Sequence, residues 1–88
     1  MPGIEATPRP RLTVYGRTYC HLCDDMILAL RTLQERFMFD LRIVDVDSNA
    51  DLEAHFGEKV PVLMHEDREL CHYFIDEPVV TALLSNLR

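Results

Sequence analysis

The chain has 88 residues, a formal net charge of −6 and a hydrophobic fraction of 48%. That length and apolar content describe one small globular domain and exclude a disordered chain. The negative charge disfavours nucleic acid and anionic membrane faces as partners, and no apolar run approaches the roughly 20 residues of a membrane span.

Residues 1–11, "MPGIEATPRPR", contain three prolines and no apolar stretch. They read as a loose tail rather than a signal peptide, with the domain running over 12–88, and the expected compartment is the cytoplasm. "LTVYG" (12–16) is β-branched and aromatic, ends in glycine and predicts a strand. A helical pattern follows, with Leu22, Met26, Ile27, Leu30, Leu33 and Phe37 on one face. Thr18 reads as its N-cap, and Asp24 and Asp25 fall in or near its first turn. "FDLRIVDVD" (39–47) predicts a second strand, parallel to the first because a helix crosses between them. "DSNADLEAHFG" (47–57) predicts a short helix capped by Asp47 or Ser48 and stopped by Gly57. "VPVLMH" (60–65) and "LCHYF" (70–74) predict a hairpin around the polar turn "EDRE". "IDEPVVTALLSNLR" (75–88) predicts a closing helix capped by Asp76, with Pro78 in its first turn. The order βαβαββα implies an α/β fold: one mixed four-stranded sheet with flanking helices.

The chemistry-bearing stretch is "RTYCHLCDD" (17–25). Cysteines 20 and 23 follow a strand and open a helix. A helix N-terminus has unpaired N–H groups and about half a positive charge, and both stabilise a thiolate. Cys20, at the exposed entrance, is the expected nucleophile; Cys23, one turn inward, is the expected resolving thiol. Arg17 and a protonated His21 would lower the Cys20 pKa, and Asp24 and Asp25 would raise it. In a reducing compartment a CxxC is a redox pair or half of a metal site rather than a structural disulfide. Val60-Pro61 is the second feature. Proline cannot donate to a strand ladder, so it opens one here, and a cis bond at this place would turn a backbone edge toward the cysteines.

Taken together, "LTVYG", "RTYCHLC" at a helix start, "KVPVL" opening the third strand and the βαβαββα order resemble the thioredoxin fold, and within it the glutaredoxin-like proteins. The resemblance spans 12–88. It implies a thiol–disulfide oxidoreductase acting through Cys20 and Cys23 and needing no metal or organic cofactor. It further implies that Arg17 assists the thiolate or glutathione, that Val60 offers its backbone to substrate, and that Pro61 is the cis-proline. The implied partners are a disulfide-containing substrate and a reductant, either glutathione or a thioredoxin-type system. Two departures bear on glutathione. His21 and Leu22 replace the family's usual Pro-aromatic pair between the cysteines. "YFIDEPVV" replaces a Gly-Gly-x-x-Asp stretch, so Tyr73 and Phe74 should crowd the tripeptide and leave its binding weak.

The alternative class is a noncatalytic binding module on the same fold, with its cysteines used for packing or metal. Cys71 and His72 supply the residue types of a four-ligand zinc set, but neighbours on a strand point to opposite faces. Cys71 otherwise reads as a small buried apolar residue. His55, His65 and His72 read as surface or half-buried residues without chemistry, Lys59 as a solvated side chain, and Met64 as core.

Overall fold

The structure is a computed structural model and describes residues 9–87. The tail expected over 1–11 therefore falls mostly outside the described residues, as does Arg88. In chain order the elements are β1 (Arg11–Gly16), α1 (His21–Leu33), β2 (Asp40–Asp45), a 3-10 turn (Val46–Ser48), α2 (Ala50–Phe56), β3 (Val62–His65), β4 (Arg68–His72) and α3 (Glu77–Asn86). They form the expected α/β, thioredoxin-like fold.

The sheet order is β2-β1-β3-β4. β1 and β2 are parallel, whereas β3 runs antiparallel to both β1 and β4. Strand alternation sends Leu12, Val14 and Leu63 to one face. There they meet Met26, Leu30 and Leu33 of α1, Val80 and Leu84 of α3, and Phe39 and Leu70 in one buried cluster. Tyr15 points to the opposite face and stacks on Phe56 of α2, with ring centroids 4.3 Å apart. α1 and α3 thus cover one side of the sheet and α2 the other.

Several boundaries depart from expectation, each for a local reason. The N-cap of α1 is Cys20, not Thr18. Tyr19 takes a left-handed φ of 59°, and that turn delays helix entry by two residues. α1 ends at Leu33, so Phe37 lies beyond it, although Phe37 still packs on the core. The Gln34 side chain instead donates to the Phe39 carbonyl at 2.9 Å and ties the helix end to the start of β2. β2 stops at Asp45, whose carboxylate accepts the Asp47 N–H and opens the 3-10 turn. α2 is capped by Asn49, not Asp47 or Ser48: its Oδ1 accepts the N–H groups of Asp51 and Leu52. Gly57 does end α2, but with an ordinary right-handed φ of −56°. β3 starts at Val62 rather than Val60, after a cis Val60-Pro61 bond.

The hairpin turn is only Glu66–Asp67, so β4 starts at Arg68, two residues early. Leu63 pairs with Cys71 and Met64 with Glu69, leaving Leu70 as an extra residue in a bulge. β4 ends at His72 because Tyr73 takes a left-handed φ of 63°. Asp76 caps α3 as expected, accepting the Val79 N–H at 3.2 Å.

Candidate functional site

The site lies where β1 feeds α1. Cys20 holds an extended backbone, and its Sγ accepts the Cys23 N–H at 3.1 Å. Its carbonyl meanwhile accepts the Asp24 N–H at 3.0 Å, the first helical bond. A sulfur therefore occupies the place where Ser or Asp usually caps a helix. Cys20 is half-buried, whereas Cys23 is only 2% exposed. The two are joined as a disulfide with Cα atoms 5.1 Å apart. Cys20 is partly accessible and Cys23 is not, an asymmetry that would suit a nucleophile and a resolving thiol.

Gly16 makes room for this pair. A Cβ at Gly16 would sit 3.1 Å from Cys23 Sγ and 3.3 Å from Cys23 Cβ, so the last residue of β1 forms the wall behind the buried cysteine. Tyr15 pairs with Val62, so the next residue on each strand, Gly16 and Pro61, meet at the same sheet end. The Tyr73 N–H continues this row by donating to the Pro61 carbonyl at 2.9 Å. Strand register thus carries Pro61, the half-buried Val60 and Tyr73 to the end of the sheet that holds Cys23.

His21 is exposed as the first residue of α1, and Tyr19, just before the cysteine, is fully exposed. Phe74, next to Tyr73, is 68% exposed. Arg17 lies in the loop between β1 and the cysteines, but its guanidinium turns to carboxylates of the protein itself. Nη2 donates to Glu53 Oε2 at 2.6 Å, and Asp47 Oδ1 lies 3.7 Å away. Lys59 likewise binds Glu69 at 2.7 Å. No local pattern announces the Arg17–Glu53 pair, because 36 residues separate the partners.

Cys71 is a free, half-buried thiol packed against the core, and burial pushes its pKa up. His72 is exposed and bonds Glu69 through Nδ1 at 2.7 Å. Met64 is half-buried rather than core. Among the described residues, no three His, Cys, Asp or Glu side chains gather where they could hold a metal ion. Nor is any described helix long and apolar enough to cross a membrane.

Comparison with known proteins agrees with this fold. Residues 11–85 match the glutaredoxin-like domain family (DUF836). Proteins of Mycobacterium tuberculosis and Mycobacterium bovis, both described as uncharacterized, are 31% identical over 74 residues, spanning 78% of this chain and 76% of theirs. A Nitrosomonas europaea protein solved by NMR is 45% identical with a TM-score of 0.79, over 94% of this chain and 99% of that one. A protein from X. campestris solved by X-ray crystallography is 37% identical with a TM-score of 0.69, over 85% of this chain and 96% of its own. A poplar glutaredoxin C1 shares the fold at 18% identity and a TM-score of 0.58, over 91% of this chain and 87% of its own.

Proposed function

The chain belongs to the glutaredoxin-like domain family, and on that footing we propose that it is a thiol–disulfide oxidoreductase. The observation that carries this reading is the pairing of a half-buried cysteine at a helix N-cap with a buried cysteine at bonding distance.

The cycle starts from the reduced pair. The N–H groups at the start of α1, including that of Cys23, favour the Cys20 thiolate, and the helix dipole adds to them. Cys20 Sγ attacks one sulfur of a substrate disulfide. A Cys20–substrate bond forms, the substrate S–S bond breaks, and the leaving thiolate takes a proton. Cys23 then gives up its proton and attacks Cys20 Sγ. The second substrate thiol leaves, and Cys20 and Cys23 finish as the disulfide. The substrate gains two electrons and two protons. A low-molecular-weight thiol such as glutathione, or a thioredoxin-type dithiol, must return them, which suits a reducing cytoplasm. The Val60 backbone edge lies beside Pro61 to receive substrate, and His21, when protonated, would add positive charge near Cys20, whereas Arg17 is held by Glu53 and Asp47.

The test is a pair of variants. Cys20→Ser should lose disulfide reduction entirely, and Cys23→Ser should accumulate a Cys20 mixed disulfide detectable by intact mass. A Cys23→Ser protein that turns over protein disulfides like wild type would refute the two-cysteine cycle. Unreactive thiols in the reduced wild type would leave a noncatalytic module.

A further inference from the structure

The basic residue that precedes the reactive cysteine in the same loop is engaged by the protein itself. Arg17 sits three residues before Cys20, and its Nη2 donates to Glu53 at 2.6 Å with Asp47 alongside at 3.7 Å. Two carboxylates face one guanidinium, so the group is net negative. The Arg17 Nε is shielded from solvent and finds no acceptor among the described residues. Glu53 belongs to α2 and folds back over the helix end. Gly57 leaves the space for it, since a Cβ at that position would overlap the Glu53 carboxylate. Lys59 is held by Glu69 in the same manner. Asp24 and Asp25, exposed in α1 beside the cysteines, make no ion pair among the described residues.

We propose that Glu53 is a specificity-determining residue: by holding Arg17 it withdraws a cation that would otherwise attract a carboxylate-bearing disulfide, so the site selects neutral or cationic polypeptide disulfides over anionic ones. The inference rests on the oxidoreductase reading and names the substrate class of that same site. An incoming carboxylate must displace a charge-assisted hydrogen bond that is already made, against a net negative surround. A neutral or lysine-flanked cystine meets no such competition. Glutathione, which carries two carboxylates, belongs to the disfavoured class, independently of any crowding by Tyr73 and Phe74.

The experiment mixes the pre-reduced full-length chain with three peptide disulfides of equal length, whose cystine is flanked by Glu, Gln or Lys. Thiol loss is followed in a single turnover, which separates apparent affinity from limiting rate. Wild type should bind the Lys- and Gln-flanked peptides more tightly than the Glu-flanked one, and salt should narrow the gap. Glu53→Gln, and separately Glu53→Ala, should tighten the Glu-flanked peptide by about 2- to 5-fold with the limiting rate unchanged. The Gln-flanked peptide should shift less. Adding Arg17→Gln to Glu53→Gln should erase the gain. Equal treatment of the Glu- and Gln-flanked peptides by wild type overturns the inference while leaving the redox reading intact. An unmoved affinity in both Glu53 variants, or a gain that survives loss of Arg17, does the same. Failure to reduce any of the three peptides overturns the redox reading, and this inference with it.

Discussion

Gly16 and the three cysteines illustrate how much depends on individual atoms. The missing Cβ of Gly16 leaves room for Cys23 Sγ, and an alanine there would press a methyl to 3.1 Å from that sulfur. Both residues are buried, which leaves little slack. Gly16→Ala should cost about 1–3 kcal/mol by overpacking, measured as a lower denaturant midpoint, and should slow closure of the Cys20–Cys23 disulfide. Cys71 presents the opposite case. Burial raises its pKa more than the nearby Asp76 backbone N–H lowers it, so its thiol stays protonated at neutral pH. In the reduced protein, iodoacetamide should label Cys20 first and Cys71 only slowly, and Cys71→Ala should leave disulfide reduction unaltered. Peptide mapping of the labelled sites checks the order; equal labelling of Cys71 and Cys20 would contradict it.

Among the secondary-structure elements, the β3–β4 hairpin carries the most titration-sensitive contact. Glu69 on β4 accepts from Lys59 and bonds His72, and these partners, Lys59 foremost, hold its carboxyl below the usual value despite an opposing effect of burial. A carboxylate whose pKa is depressed on folding adds stability above its unfolded pKa and loses it as pH falls through the folded one. Glu69→Gln should therefore cost about 0.5–1 kcal/mol near neutral pH. The difference from wild type should fade in acid, as pH falls below the usual Glu range and through the lowered value of Glu69. Thermal melts of both proteins across that range test the sign. A gap that widens in acid would assign the effect to packing instead. The same element shows what the residue pattern conceals. Strand propensity runs through "LCHYF", yet β4 stops at His72 because Tyr73 adopts a left-handed φ, which no propensity for tyrosine anticipates.

For the domain as a whole, one cluster joins both helices of one layer to three strands and to Phe39. Leu30 sits in it with no exposed surface. Leu30→Ala should cost about 2–5 kcal/mol, a large share of the roughly 5–15 kcal/mol that holds a domain folded. Urea titration should show the loss as a lower midpoint with an unchanged slope. Because α1 carries Cys20 and Cys23 at its other end, the variant should also lower redox turnover near its melting temperature. A variant as stable as wild type would mean that the cluster can collapse around the void.

The order of strands and helices, the helical face of Met26, Leu30 and Leu33, the cap at Asp76 and the strand-to-helix placement of Cys20 and Cys23 were legible in the residues. Each depends on a local rule, either a hydrophobic period or a chain reversal that only a few residue types favour. The candidate site was legible as a motif: the cysteines and Val60-Pro61 stand out in any window of the chain. Three things required the folded chain. Cys20 became the cap because Tyr19 turns left-handed ahead of it. Gly16 became the wall behind Cys23 because β1 and α1 pack at that distance. Arg17, expected to face the thiolate or its substrate, was taken by Glu53 and Asp47. Sequence spacing governs which residues share a turn or a face, whereas the partner of a long cation is whichever carboxylate the tertiary fold brings within about 4 Å of it, and that is a property of the packed layers alone.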